Sequence, residues 1–168
     1  SRHHYYLNHN TTEKEVTMHE VAPGVYVETG FQSGNVGLIL TGEGAVLVDT
    51  PMMPWEAREW ARMIRRATNE KIRFVINTDH HIEHSLGNHF FPATIIGHEA
   101  GWKEITSFSE ASRQRLLDSL QVGDPERDAE LKGLPPAPPN LTLTDRLTMY
   151  LGEKRINLLH VGGHAMSS

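Results

Sequence analysis

Six consecutive residues, Asp79-His80-His81-Ile82-Glu83-His84, carry three imidazoles and two carboxylates. They follow Lys71-Ile72-Arg73-Phe74-Val75-Ile76, a run rich in β-branched and aromatic residues that reads as a buried strand. Imidazole nitrogen and carboxylate oxygen are the side-chain ligands for a divalent metal when no thiolate is present, and this chain has no Cys. Ligands released from the end of a buried strand build a rigid metal site. In an extended loop residues i and i+2 point to the same side. Asp79 and His81 can therefore grip one ion together, while Glu83 and His84, at the turn into a helix, can face a second.

The flanking pattern supplies a frame for such a loop. Val21-Ala22-Pro23-Gly24-Val25-Tyr26-Val27-Glu28 reads as a turn entering a strand. Val36-Gly37-Leu38-Ile39-Leu40 is a second strand, Thr41-Gly42-Glu43-Gly44 a tight turn, and Ala45-Val46-Leu47-Val48 a third strand ending at Asp49, which together make an antiparallel meander. Pro54 to Ala67 is a helix: Pro suits a first-turn position, and Trp60, Met63, Ile64 and Ala67 recur at i, i+3, i+4, i+7. A short strand is expected over 93–97, then a helical pattern from His98 to roughly Val122, in one piece or two, interrupted at Gly123-Asp124-Pro125. Leu134-Pro135-Pro136-Ala137-Pro138-Pro139-Asn140 cannot continue a helix and should run extended, as a spacer or as a lid over the site. Strand character resumes over 141–144, 147–151 and 156–160, with a hairpin turn at Gly152-Glu153-Lys154. The order of elements predicts α/β layering.

With 168 residues and a formal net charge of −5, one soluble globular domain is expected. There is no long uncharged apolar run to span a membrane, and the acidic balance argues against nucleic-acid binding through a basic field. Without Cys, disulfides and Cys nucleophiles are removed, and the compartment stays open. No Gly-x-Ser-x-Gly occurs, and Gly42-x-Gly44 is a hairpin turn rather than a phosphate loop. Residues 1–18, with His3, His4 and His9, are expected to be a mobile N-terminal segment. His89 and His98 carry no assigned site role.

Three stretches in order resemble the metallo-β-lactamase superfamily. The meander ending at Asp49-Thr50 is similar to the family's opening strands, which end in an Asp beneath the metals. Thr78 to His84, followed by Gly87-Asn88, resembles its Thr-His-x-His-x-Asp-His loop, and Gly162-Gly163-His164 resembles its Gly-x-Gly-His-Thr turn. The resemblance runs from about residue 20 to the last residue, with a helical and Pro-rich insert at about 103–140. It implies an αββα sandwich of which this chain supplies the first αβ half, over 19–168. It implies one metal site from Asp79, His81 and His164, and a second that includes Glu83 and His84. Asp49 would orient ligands from behind. His80 lies between ligands and would point away, into a supporting or core position, or would replace the missing first His if the loop shifts by one residue.

The chain departs from the family pattern in its ligands. Asp79 stands where the family has its first His, and Glu83 where it has Asp. The extra carboxylate tilts preference from zinc towards iron or manganese without deciding it; zinc is the expected ion, in one copy or two. The resemblance also implies a further layer bearing a bridging Asp and a final His. A companion C-terminal half of the same fold is therefore expected, as a cleaved or separate chain or simply beyond this sequence. The function expected is metal-dependent hydrolysis of an ester, lactone, lactam or related small substrate, with Asp79 and Glu83 as the catalytic carboxylates. An iron-dependent redox enzyme and a catalytically silent binding protein of the same fold are the alternatives. Small-molecule substrates are expected as partners, and neither nucleic acid nor membrane.

Overall fold

Short connections between the first strands and long ones between the later strands decide the sheet. In the computed structural model, which describes residues 18–120 and 122–168, β1 (His19–Ala22), β2 (Val25–Glu28), β3 (Val36–Ile39) and β4 (Ala45–Val48) pair as successive antiparallel neighbours. Helix α1 (Pro54–Ala67) then carries the chain back across the sheet, so β5 (Ile72–Ile76) lies parallel to β4. The short helix α2 (Ile82–Ser85) and a 3-10 turn (Leu86–Phe90) return it to β6 (Thr94–His98), parallel to β5. Helices α3 (Glu99–Ser107), α4 (Glu110–Asp118) and α5 (Pro125–Gly133) lead to β7 (Leu141–Leu143), parallel to β6. Among the described residues these seven strands form one sheet in sequence order. The expected mobile segment lies, except for Met18, outside the described residues.

The two faces of the sheet are covered differently. Leu38, Leu47 and Val75 pack on the apolar stripe of α1, where Trp60, Met63 and Ile64 are buried. Removing the Trp60 side chain would cost about 3–5 kcal/mol. The opposite face, Val46, Ile76 and Ile96, is covered by the antiparallel hairpin of β8 (Arg146–Leu151) and β9 (Lys154–Leu159) through Leu147, Met149, Leu151, Ile156 and Leu158. Helix, sheet and hairpin thus stack as α/β/β layers, the α/β class expected from the alternation of elements.

The helical excursion departs from its expected pattern. The pattern over 98–122 breaks at Phe108-Ser109, where the Ser109 hydroxyl caps α4 by accepting from the Ser112 N–H. The helix expected to run to about residue 122 already ends at Asp118, and Gly123-Asp124-Pro125 starts α5 instead: Asp124 accepts from the Glu126 and Arg127 N–H groups, and Pro125 occupies the first turn. Leu117, Leu120 and Leu131 bury these helices against Met52, Met53 and Leu86, beside Ile82 of α2. The excursion is thereby seated on the loop that carries the histidines. Gly87 fixes that loop's approach to the neighbouring chain, because a Cβ there would stand 2.0 Å from the Pro51 carbonyl oxygen. Among the described residues no helix is long and apolar enough to cross a membrane.

Candidate metal centre

The centre is assembled at the ends of the parallel strands. The register that pairs Val48 with Ile76 and Ile76 with Ile96 places the loops after β4 and β5 side by side. Asp49 leaves β4 with φ 59°, the one non-glycine residue among those described with positive φ. That conformation costs on the order of 1 kcal/mol, least for Asp and Asn. It is held by a buried carboxylate: Oδ1 accepts from the Thr78 N–H at 2.7 Å, and Oδ2 accepts from the Thr78 hydroxyl at 2.7 Å and faces Nδ1 of His84 at 2.9 Å.

A second buried network fixes the other end of the histidine loop. Asn77 donates through Nδ2 to the His84 carbonyl at 2.7 Å and accepts from Nδ2 of Asn88 at 2.8 Å. Thr50 donates from its backbone to the same His84 carbonyl at 3.1 Å and from its hydroxyl to Asn88 Oδ1 at 2.9 Å. A buried polar group left without its partner costs about 1–3 kcal/mol, so this shell defines the loop tightly. Thr50, Thr78 and Asn88 lie within the motif stretches of the sequence and Asn77 beside them, but the sequence assigns none of the four a role. Their signal is position: each is polar and lies in or beside the loops at the C-terminal ends of the apolar strands β4 and β5.

Within this frame Asp79, His81 and His164 come together, each offering one ligand atom, with all three atoms within 4.8 Å of one another. Asp79 Oδ2 lies 3.1 Å from His81 Nδ1 and 3.6 Å from His164 Nε2. His84 Nε2 stands 3.9 Å from Asp79 Oδ1. The Asp79 carboxylate also accepts the His81 N–H at 2.9 Å, which turns the loop so that residues 79 and 81 face one side. Burial pushes the Asp79 carboxyl up. The His81 N–H and ring, with the imidazoles of His84 and His81, outweigh it and hold the group below the usual carboxylate range. Burial lowers His84, but the hydrogen bond and charge of Asp49 more than offset it, helped by Asp79 and Glu83.

The remaining sequence candidates are placed as follows. Glu83 lies beside the cluster, in the wall of an adjoining cavity, outside the Asp79/His81/His164 group. His80 turns to the C-terminal segment: its Nδ1 is 2.7 Å from the Ser167 hydroxyl, whose oxygen also accepts the His80 N–H at 3.1 Å. Burial, then the charge of His81, lowers its pKa. His164 is presented by a turn in which Gly162 and Gly163 have φ 64° and 96°, closed by Val161 and Gly162 N–H groups donating to the Ser168 carbonyl. His89 contacts the Pro135 carbonyl, whereas His98 caps α3 by accepting the Ala100 N–H and stacks on His160 at 4.1 Å.

The donor set fits a divalent cation. His81 Nδ1 is buried and makes no hydrogen bond, although Asp79 Oδ2 is 3.1 Å away; the two atoms lie side by side rather than in donor–acceptor line. A buried polar atom without a partner is costly, and a cation shared by the imidazole and the carboxylate removes that cost. On His84, Nδ1 engaged with Asp49 leaves Nε2 facing the cluster, the arrangement in which an outer carboxylate orients a ligating imidazole.

Residues 29–167 match the family model described as Metallo-beta-lactamase superfamily. No curated protein sequence matches the chain. Among solved structures, the inverting sec-alkylsulfatase Pisa1 from Pseudomonas sp. is similar at TM-score 0.62 and 15% identity, over 86% of this chain and 27% of that one. A B3 metallo-beta-lactamase with an active-site glutamic acid gives TM-score 0.58 and 23% identity, over 86% and 52%. A Cronobacter sakazakii (Enterobacter sakazakii) metallo-beta-lactamase mutant with a HARLDQ motif gives 0.57 and 19%, over 83% and 50%. The chain thus spans about half or less of the length of these structures, and likeness at such identities concerns the fold.

Proposed function

Since the chain belongs to the metallo-beta-lactamase superfamily, whose activity at that level is metal-dependent hydrolysis, we propose that it hydrolyses a small ester, lactone, lactam or related substrate at the Asp79/His81/His164 cluster. The observation that supports this is the convergence of those three ligand atoms within 4.8 Å, from stretches 83 residues apart (164 − 81), around a buried and unpartnered His81 Nδ1. Asp79, His81 and His164 would hold a first ion; His84, through Nε2 and with Glu83, would serve a second. A divalent ion supplies a lowered water pKa and polarisation of the substrate oxygen at neutral pH.

The chain's own residues perform the rest. Asp79 stays ionised, so the cluster carries the negative charge that balances a cation. Asp49 holds His84 through Nδ1 and fixes its direction. Glu83, at the cluster's edge, either completes that second ion's site or, left free, would take the proton released by the attacking water and return it to the leaving group. Zinc is the ion of choice for this nitrogen and oxygen set, and the hard oxygen of Asp79 keeps iron or manganese, with the redox chemistry iron brings, as the second reading.

The exposed apolar side chains Tyr150, Leu159, Val161 and Met166 extend along the hairpin and the His164 turn. Large apolar side chains left exposed near the candidate site suit an interface, and we take the partner that covers them to be the companion half of the fold. The test is metal analysis of the purified assembly with turnover of an ester, lactone and lactam panel before and after chelation. Stoichiometric zinc, hydrolysis lost on chelation and restored by zinc, and a mass above that of this chain are expected. Protein that binds no divalent ion would overturn the reading; bound iron with oxygen uptake would replace hydrolysis by redox chemistry.

A further inference from the structure

Beside the Asp79/His81/His164 cluster lies a cavity of about 210 Å³ that shares His81 with it and has Glu83 in its wall. Its apolar lining comes from Ile105 and Phe108 at the α3 end, Leu116 and Leu117 of α4, and Pro136 of the proline-rich connector. We propose that this cavity receives the uncharged hydrocarbon portion of the substrate, an alkyl or aryl group, while the scissile bond lies at the His81/Glu83 mouth; the proposal rests on the hydrolytic reading above.

Charge argues for an uncharged occupant. Among the described residues Arg113 is the one Lys or Arg in the wall, and it is already engaged: Nε and Nη2 donate to the Glu110 carboxylate at 3.0 and 2.7 Å, and Nη1 donates to the Leu134 carbonyl. Glu104 adds a carboxylate to the same wall, as Glu83 does at the mouth. An anionic end group would enter a space with two carboxylates and no unengaged cation, whereas a hydrocarbon gains from desolvation along its length. Continuity with the cluster selects the occupant: a molecule filling the cavity reaches His81 without crossing the sheet. Phe108, a lining residue that is 48% exposed although aromatic, would be covered by such a ligand.

The test uses the metal-loaded assembly and two readouts. In hydrolysis of p-nitrophenyl esters from acetate to octanoate, kcat/KM should rise about fourfold per methylene until the cavity is full, following ~0.8 kcal/mol per buried methylene. Calorimetric titration with 1-alkanols from butanol to octanol, which needs no turnover, should show the same gain in affinity. Leu116→Trp should stop the rise at a shorter chain, and Phe108→Ala should lower the gain per methylene. An ω-carboxylate on the ester should cost at least about tenfold, relieved in Glu104→Gln. Length-dependent alkanol binding without hydrolysis of any ester would support the pocket and overturn the hydrolytic reading. Length-independent alkanol binding would overturn the pocket whatever the turnover, and so would length-dependent binding with turnover indifferent to length.

Discussion

The two sides of the metal cluster are built to different standards. Asp79 and His84 stand on a loop clamped by buried Asp49, which holds Thr78 and His84, and by a separate buried set in which Asn88 bonds both Asn77 and Thr50. His164 comes from a glycine turn, and its side chain is 75% exposed. One side is set by folding alone. The other is placed within reach of Asp79 but has little to hold it, so a cation, or the docking of further protein on that edge, must supply the last ordering. Ligand geometry on the first side should then be insensitive to metal, and on the second side dependent on it.

Substitutions can break this contrast. The largest effect is expected for Asp49→Ala, which strands the Thr78 N–H and His84 together: about 3–5 kcal/mol of stability in urea unfolding, with metal affinity reduced 10–100-fold in a competition titration. Gly87→Ala drives a Cβ into the Pro51 carbonyl and should cost roughly 3 kcal/mol, read by the same unfolding curve. For Asn88→Ala, which removes the partner of Asn77 and Thr50, about 2 kcal/mol is expected. His164→Ala should leave the metal-free protein within about 0.5 kcal/mol of its parent and yet abolish stoichiometric metal binding. If His164→Ala destabilises the metal-free protein as much as Asn88→Ala, the two sides are equally preorganised and the distinction fails. Amide exchange sharpens it further: addition of zinc should slow exchange at 161–168 far more than at 77–88.

The parts most readable from sequence were those with one strong local signal. Pro54 and the Trp60/Met63/Ile64 stripe delimit α1 as observed. Gly42 and Gly44 mark the turn between β3 and β4. The ligand loop was conspicuous because charged and imidazole groups crowd together right after an apolar strand. What escaped was set by contacts distant in sequence. Asn88 acquires meaning only once Asn77 and Thr50 lie against it. β1 is exposed on all of its residues and is defined by pairing with β2 rather than by apolar alternation. Asp124-Pro125 looks like a helix breaker in the sequence, yet α4 has already ended at Asp118 and the pair starts α5. The apolar cavity is invisible in the chain order because its wall comes from α2, α3, α4 and the connector, each of which looks like ordinary core.

Helices α3 to α5 depart from the end of β6 and rejoin at β7, which is the neighbour of β6 in the sheet. The excursion therefore begins and finishes at adjacent points of the scaffold, and its length places little demand on the strand order. The whole segment can be exchanged for another without replacing any of the residues proposed as ion ligands. On the proposed reading, the segment lining the substrate cavity and the strand ends carrying the ligands are separable parts of the fold, joined where Ile82 of α2 packs on the excursion.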